Sequence, residues 1–536
     1  MAQASVTKIP YQATGRFSEL VRDHLADSAS VQELRTYPPD LAGVERAAAE
    51  RRFPEASRKV LVAALRAQYA GIEVPTAVEE NLVKLADPQC LTVTTGHQLN
   101  ILTGPLYVPF KLLNAVRTAR TLEQRLGRPV VPVFWMATED HDRPEIDHTV
   151  VNGHTLTWPG EAAGAVGRMP VDDFAPVLEA LERHLGEGRW REEVLQLART
   201  CYAPGHDLAR ATRLFVQGLF GRYGLVVLDG DDPALKRLFI PVMRTEAIDQ
   251  VTERAVHYAN ERIQAHYKVQ AHARPINLFH LRPGHRSRIV QEDDLFRVLD
   301  NGPVFTAEEL LKEIERRPES FSPNVLLRPV YQELVLPNVV YIGGGGELAY
   351  WLQLRWVFQA LQVPMPVLLL RTSALLLGEK ELDLLQRTGL KVEDLFLDRH
   401  VLRDRVAATT AGMEIELPEE RKALEDLFRK AGAKAAAVDP TLARSAEASA
   451  TKAFKALEAL EARLRRAARR KSEVQLARLE RVLEAVFPGG GLQERRDNVL
   501  PLYAAHGPDL FDAWLQELDP LDGCFTVLLD ASVPSE

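Results

Sequence analysis

A chain of 536 residues with 46% hydrophobic and 26% charged content is long enough for a large core and for more than one domain. Its 66 Lys+Arg against 74 Asp+Glu give a formal charge of −8, which excludes a global attraction to nucleic acid or anionic lipid and leaves room only for a local basic pocket. Cys90, Cys201 and Cys524 form no CxxC or Cys/His cluster, so neither a disulfide framework nor a metal centre is expected. With no secretory h-region and no apolar stretch near the roughly 20 residues of a membrane span, the chain is expected to be soluble and cytoplasmic.

Residues 1–90 read as a mainly helical lead-in, with apolar residues three and four apart in LVAALRAQYAGI and TAVEENLVKLAD. LTVTT (91–95) is a β-rich run, GHQLNILTG (96–104) a loop, and PLYVPFKLLNAVRTARTLEQRLG a helix with Pro105 near its first turn. Leu112, Val116, Ala119, Leu122 and Leu126 form one apolar stripe on that helix. RPVVPVFWMA (128–137) is apolar at nearly every position, as in a parallel strand covered on both faces, which completes a βαβ unit. LFGRYGLVVLDGDD (219–232) adds a helix-to-strand step. NVVYI (338–342), four glycines (343–346), the amphipathic ELAYWLQLRWVFQAL and the strand-like PMPVLLL (364–370) form a second unit. Residues 1–375 are thus expected to hold an α/β core, a doubly wound and mostly parallel sheet. VNGHTLTWPG (151–160) and RPINLFHLRPGHRSRIV (274–290) predict antiparallel hairpins, within insertions near 151–215 and 240–325.

Beyond residue 375 the character shifts. Residues 440–486 contain no Gly and only Pro440, predicting one helix of about 70 Å at 1.5 Å per residue. Leu457, Leu460, Leu464, Ala467, Lys471 and Val474 read as a coiled-coil seam, and LPEERKALEDLFRKAG (417–432) as an antiparallel neighbour. Residues 376–487 are therefore expected to form a coiled-coil domain, and 488–536 to pack back on the core. The basic run RLRRAARRKSE (463–473) has interleaved Glu and no aromatic platform, so it reads as a solvated helix face and not a nucleic-acid site.

Candidate chemistry gathers at the carboxyl ends of the strands, where open α/β sheets bind ligands. The first loop carries Gly96, His97, Gln98, Asn100, Gly104 and Pro105, followed by Tyr107 and Lys111, and could hold a phosphate or carboxylate. It matches neither GxGxxG nor a Walker loop, and a tight turn with solvated side chains is an equal alternative. TEDHDRPEIDH (138–148) places Glu139, Asp140, His141, Asp142, Glu145, Asp147 and His148 at the edge. Such carboxylate–His neighbours can tune a base or hold Mg²⁺ delivered with a nucleotide, although a charged loop is often plain surface. Gly343, Gly344, Gly345 and Gly346, followed by Glu347, leave main-chain amides open to a ligand where one or two glycines would serve a mere turn. Arg328 could clamp a carboxylate or phosphate, and Arg371, Thr372 and Ser373 follow the last strand.

TGHQLNILTGPLYVPFKLLNAVRTA, PVFWMATEDHDRPEIDH, FSPNVLLRPVYQELVLPNVVYIGGGGELAYWLQL and LQERRDNVLPLY, in this order, resemble the cysteine-adding family of bacillithiol synthesis. The resemblance implies a Rossmann-like core related to class I aminoacyl-tRNA synthetases, connective insertions, and a coiled coil that supports a homodimer. It also implies ATP-dependent joining of cysteine to glucosaminyl-malate. The chain departs from the family in having His97 where Gln is common, in lacking a Pro within Gly344–Glu347, and in lacking a KMSKS-type loop. An amide cannot form from a free carboxylate, so cysteine's carboxyl must first be activated as an adenylate or acyl phosphate. On this reading Asp140, His141 or Asp142 handles the amine and Arg371 offsets developing charge, while the first loop, the glycine turn, Glu139, Arg328 and Ser373 contribute to substrate or nucleotide binding. Another nucleotide-dependent ligase or transferase, or a non-catalytic coiled-coil assembly factor, stays open as an alternative.

Overall fold

The structure, a computed structural model, describes residues 6–161, 163–411 and 416–529. Residues 1–5 of the expected lead-in and 530–536 of the expected C-terminal segment lie outside the described residues. By packing, Lys8–Ala374 and Glu494–Thr526 belong to one unit, and Leu375–Gln493 to a second. Among the described residues no helix is long and apolar enough to cross a membrane.

The first unit is built on five parallel strands: β1 (Leu91–His97), β2 (Val130–Met136), β3 (Val226–Asp229), β4 (Asn338–Gly343) and β5 (Val367–Leu370). Their order is β5-β4-β1-β2-β3. The chain works outward from β1 through β2 to β3 and then returns to β1's other side for β4 and β5, so the switch point lies between β1 and β4. The unbroken apolar runs foreseen for these strands are buried on both faces, as β2 is at every position. Helix α1 (Tyr107–Leu126) crosses from β1 to β2. Its stripe packs as the periodicity predicts: Leu112, Val116, Ala119 and Leu122 are buried, and Ala119 and Leu122 join Val93, Val130, Val340, Ile342, Val367 and Leu369 in one core cluster.

Helices α2 (Pro233–Asp249), α3 (Arg328–Val335) and α4 (Gly345–Trp351) complete the frame around the strand ends. The amphipathic stretch after the glycines is two helices, because Gln353 and Leu354 close 3₁₀-type bonds to Tyr350 and Trp351. The buried Gln353 amide bonds Asn260 and the backbone of Gln270 and Ala271 instead of lying along a helix face. The two predicted hairpins are present. His148–Val151 pairs with His154–Thr157, and Leu278–Arg282 with His285–Glu292 inside a five-stranded antiparallel sheet that also contains Phe321–Pro323.

In the second unit, α5 (Pro418–Val438) runs antiparallel to α6 (Leu442–Lys471), with Arg421 paired to Glu458 at 3.1 Å and Gly432 against Ala446. The single long helix expected over 440–486 is broken: α6 ends at Ser472 and α7 (Glu473–Val486) follows. The Ser472 hydroxyl bonds the Ala468 carbonyl at 2.9 Å, competing with the backbone ladder at the break. The packed line passes through Leu457, Leu464, Ala468, Ser472, Leu476 and Leu479, whereas Leu460, Ala467, Lys471 and Val474 of the expected seam are exposed. The neighbours that cover the line include Arg399–Ala411, whose Asp404 accepts from Arg469 at 2.7 Å.

The edge strand β5 is covered from the N-terminal side. His24, fully buried, donates Nε2–H to the Leu368 carbonyl at 3.0 Å, while its Nδ1 faces Arg35 Nη1 at 3.0 Å. Arg35 can only donate, so the ring is neutral with its proton on Nε2. Burial, and then the Arg35 charge, push the ring down to about 4 from 6.5. A histidine whose folded value is depressed stabilises fully above its unfolded value and loses that contribution as pH falls towards the folded one. Stability should therefore fall by up to about 3 kcal/mol from this residue between about pH 6.5 and 4. Denaturant melts across that range should show a shallower slope for His24→Gln, which keeps a donor and an acceptor; identical slopes would assign the loss to other groups.

Candidate functional site

β1 runs into a tight loop whose backbone is held in the left-handed region at Leu102 (φ 53°), Thr103 (φ 71°) and Gly104 (φ 66°). Such angles in non-glycine residues persist only where the surroundings impose them. Here Asn498 donates to the carbonyls of Leu102 and Gly104 at 2.8 and 2.9 Å, and the Leu102 amide donates to the Tyr202 hydroxyl at 2.9 Å. Gly104 is required twice over, since a Cβ there would also lie 2.5 Å from that of Asn100. The loop delivers His97, Gln98 and Tyr107 to one side. Lys111, one turn into α1, is buried, donating to the Gly96 carbonyl at 2.5 Å and to Glu347 at 2.7 Å.

Glu347 ties the two halves of the switch point together. Its Oε2 takes Lys111 and the Gly344 amide (2.8 Å), and its Oε1 takes the Tyr341 hydroxyl (2.6 Å). Burial would raise this carboxyl, but the charge and hydrogen bond of Lys111 prevail and hold it at about 2. The amides of Gly345 and Gly346, in the first turn of α4, have no intrahelical partner. A Cβ on Gly346 would meet nothing within 4 Å, so the turn is open at that point. Arg328, at the start of α3, lies over the Tyr341 ring and donates to Gln332 at 3.1 Å. Arg371, beyond β5, sits over the Tyr107 ring and is paired with Glu494 through two bonds of 2.7 and 3.0 Å, both side chains being buried.

At the end of β2, Glu139 is buried and paired with Lys236 of α2, whose ammonium also donates to the Phe321 carbonyl at 2.5 Å. Asp140 accepts from Gln98 at 2.9 Å and from the His141 amide at 2.8 Å, and lies 3.6 Å from Arg286. Burial opposes ionisation of Asp140, yet these donors and the Arg286 charge hold it well below the usual carboxylate range. Arg286 also places Nη1 2.9 Å from His141 Nδ1. The same Nδ1 lies 3.5 Å from Asp140 Oδ1, so the ring stands between the guanidinium and the carboxylate.

These groups line one cavity of about 890 Å³ in the first unit. Of the residues singled out in the sequence, Gly96, His97, Gln98, Tyr107, Glu139, Asp140, His141, Arg328, Gly344, Gly345, Gly346, Glu347 and Arg371 line it. The others do not. Asn100 bonds the Glu145 carbonyl and lines a smaller neighbouring cavity; Gly104 and Gly343 are backbone supports; Lys111 is occupied by Glu347; Asp142 is exposed outside the cavity; and Ser373 is buried against Arg371 and the Tyr11 hydroxyl. The insertion sheet closes the far wall with residues that the sequence reading had not singled out: Arg274, Asn277, Phe279, Arg286 and Arg288. Arg286 and Arg288 are two apart on a strand and so share a face, a period visible in HRSRIV. Arg274, Arg288 and Arg495 form no ion pair among the described residues, Arg495 reaching the cavity beside Gln98 and Tyr107. Among the described residues no three His, Cys, Asp or Glu side chains gather in a metal-holding group.

The Arg371–Glu494 pair gives the cavity floor a direct test. Removing one partner of a buried pair leaves an uncompensated charge at a cost of about 3–5 kcal/mol. Glu494→Ala should lower the unfolding free energy by about that amount in denaturant melts. A fall below about 1 kcal/mol would show that the pair is not a buried one in solution.

The chain matches the bacillithiol biosynthesis BshC family in two parts, its N-terminal Rossmann-like domain over residues 4–372 and its C-terminal coiled-coil domain over residues 374–529. It is 36% identical over 523 residues to a protein of Flavobacterium johnsoniae named "Putative cysteine ligase BshC", covering 97% of this chain and 99% of that one. A protein of the same name from Cytophaga hutchinsonii is 36% identical over 522 residues, covering 97% and 98%. A more distant one from Bacillus mycoides is 28% identical over 463 residues, covering 83% and 85%.

Proposed function

Because the chain belongs to the bacillithiol biosynthesis BshC family, we propose that it is a cytoplasmic ligase that uses ATP to join cysteine to glucosaminyl-malate. The observation that carries this reading is the cavity at the β1/β4 switch point, where six arginines face four carboxylates. Asp140 faces Arg286, Glu347 is paired with Lys111 and Arg371 with Glu494, which leaves Arg274, Arg288, Arg328 and Arg495 without an ion pair among the described residues. The surplus positive charge suits a nucleotide and a malyl group, both polyanions. Amide formation requires cysteine's carboxyl to be activated, and ATP supplies that activation when bound. Arg328 and the free amides of Gly345 and Gly346 would hold phosphate oxygens. The arginines of the insertion wall are placed to hold carboxylates. Mg²⁺ would arrive with the nucleotide, bound chiefly through phosphate oxygens and water and needing no dedicated protein cage.

Incubation of the protein with ATP, cysteine and glucosaminyl-malate, followed by mass spectrometry and quantification of AMP and ADP, should give the cysteinyl amide with stoichiometric nucleotide cleavage. A sound protein that yields no amide would overturn the reading. Gly346→Val separates a ligand-contacting turn from a structural one: with open space at that Cβ, the fold should tolerate it, while the KM for ATP rises roughly tenfold, about 1.4 kcal/mol of lost binding. An unchanged KM would remove the turn from nucleotide contact.

A homodimer belongs to the same proposal. Leu427, Leu460 and Val474 are 57%, 49% and 66% exposed on the helices of the second unit, and Leu460 and Val474 hold heptad spacing. A second copy of this face would bury them. Light scattering should give twice the chain mass for the wild type and a single chain mass for Leu460→Lys combined with Val474→Lys; equal masses would place the interface elsewhere.

A further inference from the structure

Amide formation asks more of the cavity than binding, because the attacking nitrogen carries a proton that must leave as the bond forms. Most of the cavity's basic groups are already committed. Glu347 accepts three hydrogen bonds, and taking a proton would break the tether between Lys111, Tyr341 and the glycine turn. Asp140 accepts from Gln98 and His141 beside Arg286. His141 Nδ1 is held between Arg286 at 2.9 Å and Asp140 at 3.5 Å. His97 is a weak acceptor, since burial and then the charge of Lys111 push it down to about 3. Asp300, on a turn, and His272, in an irregular stretch, reach the cavity from exposed positions, and among the described residues no side chain orients either.

Glu139 differs in its bonding. Its side chain is 9% exposed and lines the cavity; Lys236 holds Oε1, and Oε2 accepts no hydrogen bond among the described residues. Lys236 is itself fixed by the Phe321 carbonyl and lies over the Tyr331 ring, so the carboxylate is oriented from behind with one oxygen free. The charged groups around it are Lys236 of α2, Asp231 from the β3–α2 connection, Arg168 paired to Asp231 at 2.6 Å, Arg286 from the insertion sheet, and its chain neighbours Asp140 and His141. Burial pushes the Glu139 carboxyl upward against the pull of Lys236, whereas Asp140 and Glu347 are driven the other way. Carboxylates whose surroundings separate their proton affinities in this way divide the acid–base roles of a site.

We propose that Glu139 is the general base, removing the proton from the aminosugar nitrogen as it bonds to cysteine's activated carboxyl carbon. The new C–N bond replaces the C–O bond to the phosphoryl leaving group, which departs with the bonding electron pair, and the proton passes to Glu139 and then to solvent. Lys236 is a positioning residue in this scheme. The inference rests on the ligase reading above.

The test compares the pH dependence of kcat/KM for glucosaminyl-malate, at saturating ATP and cysteine, in the wild type and Glu139→Gln. The substrate amine contributes one acid-side ionisation and Glu139 a second. The logarithmic profile of the wild type should therefore approach a slope of two at low pH, and that of Glu139→Gln a slope of one, with a rate lower by about 10²- to 10⁴-fold. Equal slopes in the two proteins overturn the proposal. Should Glu139→Gln not fold by circular dichroism, the wild-type profile decides alone, a slope of one overturning it. A wild type that forms no amide at any pH removes the ligase reading, and this inference with it.

Discussion

The Lys111–Glu347 pair is the constraint on which the site depends. Burying either charge alone would be costly, and the two are tolerated because each is satisfied by further partners, Gly96 on one side and Tyr341 with the Gly344 amide on the other. The pair joins α1, β1, β4 and α4 where neighbouring strands send their connections in opposite directions and nothing in the backbone ladder closes the gap. It also gives the four-glycine turn a rigidity that its sequence lacks. Ordering consecutive glycines is entropically costly, and a proline would have reduced that cost. Here the Glu347 carboxylate caps the turn from within its own helix and is anchored by a lysine from another.

That same constraint decides which charges remain for chemistry. A lysine one turn into a helix at the edge of such a sheet looks like a phosphate ligand, but Lys111 has no accessible proton to offer. The cations facing the cavity come instead from residues with weaker local signals, Arg328 stacked on Tyr341 and the arginines of the insertion sheet. Arg286 is the hinge between these layers. It stacks on Phe279 and donates to Ser322 and Pro323 within the insertion, and the same guanidinium fixes Asp140 and His141 on the core. The insertion is thus part of the site's wall and of its electrostatics.

Local periodicity made the frame legible. The apolar runs of β1, β2 and β4, the stripe on α1, the hairpin at 274–290 and the glycine turn could all be placed because each is written in a window of a few residues. The families of residues gathered at 96–107, 138–141, 344–347 and 371 followed from the frame, since strand ends on one edge must converge. What stayed hidden was pairing across long separations. Glu494 answers Arg371 from 123 residues away, Asn498 holds a loop nearly 400 residues earlier, and Lys236 reaches Glu139 across 97. No period encodes such partners. In the second unit the heptad pattern located the helices but not their facing, because the packed line leaves the expected seam at Ala468 and continues in four-residue steps through Ser472 and Leu476.

The switch point also divides the cavity by electrostatic character. On the β4–β5 side, Glu347 and Glu494 are each locked to a buried cation and act as fixed scaffolding for Lys111 and Arg371. On the β2–β3 side the acidic groups outnumber their partners: Glu139, Asp229 and Asp231 crowd around Lys236 and Arg168, and burial drives both Glu139 and Asp229 upward. Fixed positive charge suits holding phosphates and carboxylates in place, whereas crowded carboxylates with incomplete compensation suit exchanging a proton. A reaction that joins an anionic acyl donor to an amine needs both, and a parallel sheet with one reversal of strand order sets them on strand ends either side of β1.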